Sequence, residues 1–572
     1  MKFREFGQYL EEIEGVSSRL ALTAQLAKLF QNLELEEVPP ACYLLQGQLL
    51  PSFAGLEFQI AVKTVIKALS HFSAEVDALY KKLGDLGLVA AEVMNKHTTS
   101  ELTITEVYDQ LLQLAKESGA ESQQRKLTQF TELLEKLDPV SAKVVVRVVL
   151  GRLRLGFSDM TIMDSLSWAM TGGKSEREML EAAYQRQADV GQLAKTYLAE
   201  KDSEKRLQRI AKDYHVRLGT PVIPALCQRL NTAAEMIEKM GEVLAEPKYD
   251  GLRVQIHFER KTDGKFTVRT FTRSLEENSQ TFPELQQLEN LLTCQSCILD
   301  AEAVGFDPKS GDLLPFQQTV QRKRKHGVAE KAQETPVRFF VFDLLYLNGE
   351  ETIHKPFFER KEQLKKLFTD NSVLVHSPGL RTTDPVALHE YHEQALADGL
   401  EGVVVKQWDG VYQSGRKNWS WVKMKEAEGK KGKLTDTIDA IVMGYYMGRG
   451  KRAGFGIGAF LVGIRDEKND QVLTIAKVGT GLSDEVLRQI KERCDKLAVP
   501  TKPELYQVAK ALVPDIWCSP DFVVEVAADE LTTSPLHTAG QALRFPRFLQ
   551  YRDDKSWQDA TTLVELQQIQ VK

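Results

Sequence analysis

The hydrophobic period of this chain changes near residue 216, and that change limits what it can fold into. Before it, apolar residues recur every third or fourth position, through Leu22, Leu26, Leu29 and Phe30, through Leu111, Leu112 and Leu114, and through Phe130, Leu133, Leu134 and Leu137. That spacing predicts helices, each with one face to bury. Gly219-Thr220-Pro221-Val222-Ile223-Pro224 interrupts the pattern. A period of two then takes over in Arg253-Val254-Gln255-Ile256-His257-Phe258, and short strand-like runs follow at 266–273, 298–304, 337–346, 401–406 and 421–425.

A second break, Glu428-Gly429-Lys430-Lys431-Gly432-Lys433, reads as a polar, glycine-rich linker. Beyond it come short strands at 440–444, 459–463, 472–476 and 522–526, spaced as in a small β-barrel of the OB kind, a frequent oligonucleotide binder. The expected fold is therefore multidomain: an all-α domain over 1–215, an α+β domain over 216–430 and a C-terminal β-barrel over 431–572. A length of 572 residues allows roughly three or four domains.

Charge and cysteine content remove several function classes. The formal net charge of -6 gives no whole-molecule attraction to nucleic acid, so such a surface has to be a local basic patch. Six cysteines in so long a chain are no disulfide framework, and Cys294-x-x-Cys297 has no second pair to complete a zinc site. His389 and His392 share a predicted helix without an evident third ligand, so a solvated face is expected. The most apolar run, Val144 to Leu150, is short and contains Arg147, which argues against a membrane span. The N-terminus is amphipathic and unlike a signal peptide, so the default location is the cytoplasm.

Candidate chemistry centres on Glu246-Pro247-Lys248-Tyr249-Asp250-Gly251-Leu252-Arg253. Lys248 is expected where an irregular segment turns into a strand, a position from which a side chain can face a pocket. A lysine becomes nucleophilic when desolvation or nearby cations expose its lone pair. K-x-D-G alone reads more readily as a surface lysine beside a turn. However, each strand that follows also carries charged residues, which are costly there unless they face a solvated cleft or a partner. Cations and carboxylates converging in this way suggest a nucleotide pocket. Arg152 and Arg154 in Gly151-Arg152-Leu153-Arg154-Leu155-Gly156 read as an exposed helix end or as phosphate contacts. The basic loop 448–454 reads as DNA-facing or merely solubilising. Gly172-Gly173-Lys174-Ser175 looks like the tail of a P-loop, but Trp168 stands where the first glycine belongs and no strand leads in.

Taken in order, these motifs resemble those of ATP-dependent DNA ligases of the three-domain form, over essentially the whole chain. The resemblance implies that Lys248 becomes covalently adenylylated and that Glu246 helps to recognise adenine. It implies nucleotide contacts for Arg253, Arg273, Glu302, Phe342 (stacked on the base), Lys406, Lys423 and Lys425. Arg552 and Lys555 match the closing motif of the C-terminal domain, and the 151–156 stretch matches a DNA-binding signature. Between Tyr412 and Trp421 such ligases usually carry a basic pair with arginine second. Here the order is Arg416-Lys417, which leaves both as candidates.

The resemblance further implies ATP as co-substrate and Mg²⁺ as cofactor, with Glu302 and Glu401 as the hard oxygen donors. Lys406, Lys423 and Lys425 are expected to lower the pKa of Lys248 and to hold phosphate oxygens. The implied partner is nicked duplex DNA, gripped through its phosphates and minor groove. A monomer that makes no membrane contact is expected, and a sliding clamp is among the partners to test. RNA ligases and capping guanylyltransferases share the lysine chemistry, but the long helical domain before Lys248 argues against both. A scaffold that had lost activity would carry damaged motifs, and nearly all are intact here.

Overall fold

The computed structural model describes residues 1–572 apart from 17, 95–99, 152, 154, 156, 231, 315–317, 320–334, 416–418, 426–436, 449, 529 and 570–572. Arg152, Arg154, Arg416, Lys417 and the whole of the expected linker therefore lie outside the described residues. The chain divides into two compact units. One comprises Met1–Gln59, Glu101–Ser122 and Phe157–Glu426; the other comprises Ile60–Ser100, Gln123–Gly156 and Ala427–Lys572. Among the described residues no helix is long and apolar enough to cross a membrane.

The described elements between Phe3 and Asp213 are α-helices and one short 3-10 turn. Local chemistry explains where they begin. In the helix Ile104–Lys116, the Thr103 hydroxyl accepts from the Glu106 amide while the Glu106 carboxylate accepts from the Thr103 amide. Its stripe of Ile104, Val107, Leu111 and Leu114 is buried. The would-be P-loop is instead a helix end: Gly172 takes the left-handed φ of 70° that closes Asp159–Thr171. The Lys174 ammonium lies 2.7 Å from buried Asp164, an internal ion pair in place of a phosphate site.

Two sheets build the site-bearing part of the first unit. In chain order the strands are β1 (Gln228–Arg229), β2 (Val243–Pro247), β3 (Leu252–Arg260), β4 (Phe266–Thr272), β5 (Ser296–Gly305) and β6 (Val337–Leu347). They continue with β7 (Glu350–Glu351), β8 (Leu374–His376), β9 (Leu380–Thr382), β10 (Gly402–Gln407) and β11 (Trp421–Lys425). One sheet has the order β1-β11-β10-β2-β9; the other runs β4-β3-β5-β6-β7, with β8 also beside β6. Lys248 lies between strands of different sheets, because β2 precedes it where an irregular segment was expected. The proline in Ala245-Glu246-Pro247 hides that strand from a reading of periodicity.

Alternation assigns each sheet two different faces. Val243, Ala245, Val403, Val405, Val422 and Met424 turn into one core with Met236, Met240 and Leu388. Val254, Ile256, Phe258, Leu299, Ala301, Phe339 and Val341 turn into another. Glu246, Val404 and Lys423 pair across β2, β10 and β11, so they share the face opposite the first core. Between β5 and β6 the partner of Asp300 is Asp343 and that of Ala301 is Val341, which leaves Phe342 as the extra residue of a bulge.

In the second unit the strands are β12 (Ile438–Tyr446), β13 (Ala459–Asp466), β14 (Gln471–Val478), β15 (Ala498–Val499), β16 (Tyr506–Gln507) and β17 (Ile516–Cys518), followed by β18 (Val523–Ala527), β19 (Glu530–Thr533), β20 (Gln541–Arg544) and β21 (Arg547–Tyr551). β12 pairs with β13 and β18, β13 with β14, and β18 with β21. A bridge between Thr480 and Arg547 joins the end of β14 to β21, so these strands close into a ring. Ile438, Ala440, Val462, Ile464, Ile475, Val524 and Phe548 belong to one buried core.

A buried ion pair ties β6 to the helix Phe357–Lys365 beside it. Arg360 donates from Nε to Asp343 Oδ1 at 2.7 Å and from Nη2 to Oδ2 at 3.0 Å, both side chains being fully inaccessible. Removing one partner strands a charge, which costs about 3–5 kcal/mol. Asp343→Ala is therefore expected to move the urea transition of the first unit to clearly lower concentration, as followed by tryptophan fluorescence. Glu359, on the half-buried outer side of that helix, serves as a control that should change little on truncation.

Candidate functional site

Lys248 leaves β2 in a backbone frame set by β10. Its amide donates to the Gly402 carbonyl at 2.9 Å, and the Glu401 amide donates back to the Lys248 carbonyl at 3.3 Å. Gly402 has φ 123°, a conformation that disfavours any side chain there and turns the chain from Glu401 into β10. Gly251 is needed for a different reason. A Cβ on it would lie 2.6 Å from the Ala303 carbonyl oxygen and 3.0 Å from Glu302 Cγ, so only glycine lets the lysine turn pack on β5.

These elements enclose a cavity of about 410 Å³, lined among others by Glu246, Lys248, Arg253, Arg273, Glu302, Phe342, Lys406 and Lys423. Eight residues named from the sequence thus meet in one place, drawn from both sheets. Glu401 joins them through the Lys248 ammonium, 2.5 Å from its carboxylate. Lys425 ends β11, and its side chain lies outside the described residues. Arg552 and Lys555 belong to the second unit. There Arg552 donates to both Asp439 oxygens at 2.9 Å and Lys555 to Asp439 Oδ2 at 2.7 Å, while Asp554 takes the other edge of the guanidinium.

Carboxylates accompany the lysines expected around Lys248. The nearest charged neighbour of Lys248 is a carboxylate, and Lys406 has a partner of its own. Lys406 places its ammonium 2.5 Å from Glu246 Oε2, with the Trp421 and Phe342 rings 4.2 and 4.3 Å away. Burial pulls the Lys406 ammonium below the usual lysine range, while Glu246 and Asp343 pull the other way. Arg253 is also engaged. It donates to both oxygens of Asp300, at 3.0 and 2.7 Å, and to the Ala225 carbonyl at 2.6 Å, and the Tyr412 hydroxyl donates to the same Asp300 at 3.0 Å. Its guanidinium carbon also lies 5.4 Å from the centroids of both the Phe342 and the Trp421 rings.

Phe342 is half-buried and meets Trp421 edge to face at 5.8 Å, so the β6 bulge leaves part of its ring facing the cavity. Tyr249, stacked on Phe340 at 4.1 Å, also lines the cavity. The sequence reading missed Lys361, Asp300, Asp343, Arg360 and Tyr412. One signal was present: on the helix Phe357–Lys365, Arg360 and Lys361 occupy the i+3 and i+4 positions of a stripe that Phe357 and Leu364 complete. Charges in an apolar stripe mark buried ionic partners. His392, expected on a solvated face, is buried, because Pro385–Ala397 packs on β10 and on the helix Ala233–Met240. Cys294 and Cys297 are both buried and free, as expected for structural cysteines.

The two sheets and their shared cavity form a nucleotidyltransferase core. The description "ATP dependent DNA ligase domain" matches residues 224–425, "DNA ligase N terminus" matches 2–167, and "ATP dependent DNA ligase C terminal region" matches 453–555. A "Probable DNA ligase" of Dictyoglomus turgidum is 36% identical over 99% of this chain and 97% of its own length. "DNA ligase 2" of Thermofilum pendens is 37% identical over 99% of this chain and 96% of its own. Among solved structures, "Pmar-Lig_PreS3" shares the fold with a TM-score of 0.56 at 16% identity, over 96% of this chain and 99% of that one. The chain belongs to the ATP-dependent DNA ligase family.

Burial pushes the half-buried Glu302 carboxyl up to about 7, with Arg253 and Lys248 opposing the shift and Asp300 and Glu401 adding to it. Because the folded value lies above the ordinary 4.5, the folded state favours the protonated form. The stability tied to this group is full below 4.5 and is lost as pH rises through about 7. In metal-free buffer, Glu302→Gln is therefore expected to remove part of the fall in melting temperature across that window. Parallel wild-type and variant curves would contradict this account.

Proposed function

We propose that Lys248 is the residue adenylylated by ATP and that this cavity holds the nucleotide during the sealing of nicks in duplex DNA. The observation that carries the reading is the convergence of Lys248, Glu246, Arg253, Glu302, Phe342, Lys406 and Lys423 on one cavity, in a chain with full-length ligase relatives. The base lies against Phe342, a flat apolar face worth about 1–3 kcal/mol by analogy with base–aromatic stacking. Glu246 accepts from its amino group. Lys406, beside Glu246 and Phe342, faces the base end of the nucleotide, and Lys423 and the exposed Arg273 face the phosphates, with Lys425 and the Arg416-Lys417 pair as further candidates.

In the first step the Lys248 amine attacks the α-phosphorus. A P–N bond forms, the bond to the bridging oxygen breaks, and pyrophosphate leaves with the electron pair. Glu401, 2.5 Å from the ammonium, is placed to take its proton. Arg552 and Lys555 serve this step only, once freed from Asp439, by neutralising pyrophosphate. The 5′-phosphate at a nick then takes AMP from Lys248. Attack by the 3′-hydroxyl closes the strand and releases AMP.

Glu302 and Glu401 would hold Mg²⁺. Their donor chemistry fits: two hard carboxylates, Glu401 close enough to raise the cost of ionising Glu302, beside a cavity sized for a nucleotide. When bound, the ion would supply charge neutralisation and Lewis-acid polarisation of phosphoryl oxygens. A carboxylate has two oxygens, so the proton and metal roles of Glu401 are compatible.

The domain reading accompanies this function. A helical domain over 1–215 and an OB-type barrel over 431–572 grip DNA as a cytoplasmic monomer, and an adenylation domain spans 216–430. The ring of β12, β13, β14, β21 and β18 supports the barrel. A sliding clamp is the protein partner to test.

Incubation with α-labelled ATP and Mg²⁺ is expected to label the wild-type chain and to leave Lys248→Ala unlabelled. Equal labelling of both would overturn the assignment. Discharge of the label by nicked DNA rather than nicked RNA separates this reading from an RNA ligase. Nick affinity is expected to fall about 10³-fold or more between roughly 50 and 200 mM salt, as for a protein making several phosphate contacts. Fluorescence anisotropy measures it directly.

A further inference from the structure

Glu246 carries two ammonium partners although it has one charge. Lys406 holds Oε2, and Lys361 holds Oε1 at 2.6 Å from the opposite side. Lys361 also donates to the Ser377 carbonyl at 3.4 Å, which fixes its reach across from the helix. Glu246 and Lys406 are each 2% exposed and Lys361 is 6% exposed, so water screens none of these contacts well. The two lysines differ in one respect. Lys406 lines the cavity, whereas Lys361 does not and lies behind the carboxylate. A single negative charge thus meets two positive ones, and the surplus belongs to the lysine that faces the nucleotide.

We propose that Lys361 is a positioning residue for nucleotide recognition: it holds the Glu246 carboxylate in place when Lys406 leaves Oε2 for an acceptor atom of the bound nucleotide. This rests on the reading of Lys248 and Glu246 given above. With Lys361 present, Lys406 can turn to the substrate without stranding a buried charge. With Lys361 removed, Glu246 has Lys406 as its remaining ammonium partner, and one of two functions fails. Either Lys406 stays on the carboxylate and is lost to the nucleotide, or Glu246 is left without a cation and drifts from the base. Both outcomes weaken nucleotide capture before any bond is made. The second also weakens discrimination at the 6-position of the purine, where adenine offers an N–H donor and a 6-oxo purine presents an acceptor that a carboxylate repels.

The test compares wild type, Lys361→Met and Lys361→Arg in the full chain. It reads formation of the Lys248 adduct from labelled ATP and from labelled ITP across a range of nucleotide concentrations, with melting temperature as the check on folding. Lys361→Met is expected to raise the half-saturating ATP concentration about ten-fold and to narrow the ATP-over-ITP preference by a similar factor, with adduct still forming at saturating ATP. Lys361→Arg, which keeps a cation at Oε1, is expected to recover most of both. A folded Lys361→Met with wild-type half-saturation and a wild-type ATP-over-ITP ratio overturns the proposal and leaves Lys361 as a support for the helix alone. Should the methionine variant not fold, Lys361→Gln, which keeps a donor and removes the charge, is judged by the same two readouts. Failure of the underlying reading is distinguishable, because the wild type itself would then acquire no Lys248-dependent label.

Discussion

Inside the first unit, two ammonium groups share the Glu246 carboxylate where water hardly reaches them. Buried charges are tolerated only when paired, and here the pairing joins three separate elements: β2 through Glu246, β10 through Lys406 and the helix Phe357–Lys365 through Lys361. The same helix anchors β6 through Arg360 and Asp343. Two adjacent residues of one helix therefore connect to strands of both sheets by ionic contacts. The cavity between Glu246 and Phe342 depends on those connections keeping their lengths.

The cavity itself follows from strand alternation. Val403, Val405 and Val422 fill a core, so Val404, Lys406 and Lys423 must face the other way. On the second sheet the bulge at Phe342 adds a residue between Val341, which packs in the core, and Asp343, which pairs with Arg360. Without it, the aromatic ring and the anchoring carboxylate could not both be placed. Gly251 completes the arrangement by letting the lysine turn approach β5 to a distance that no side chain allows.

In the second unit the same economy of charge appears at Asp439. One carboxylate accepts from both Arg552 and Lys555, and Asp554 holds the remaining edge of the guanidinium. The two groups proposed to neutralise pyrophosphate are thus already paired with local acids. A phosphate must offer more than those acids do in order to win them.

Much of this was legible in the chain. Periodicity found the strand at 421–425 at its observed limits and placed those at 298–304 and 337–346 inside the observed β5 and β6. Motif order named eight residues that line one cavity. The period of a strand is local, and the charged positions stood out against it. The chain also determined where alternation places a charge on the face opposite a core, since neighbouring apolar residues leave it no other side. Tertiary structure alone decided which charges meet. Glu246 and Lys361 are more than a hundred residues apart, as are Asp300 and Tyr412, and nothing in either neighbourhood names its partner. The placement of carboxylates rather than further cations against Lys248 and Lys406 was decided there too. Charge balance in a buried space depends on every group that folding brings within a few ångströms, and sequence order does not record that distance.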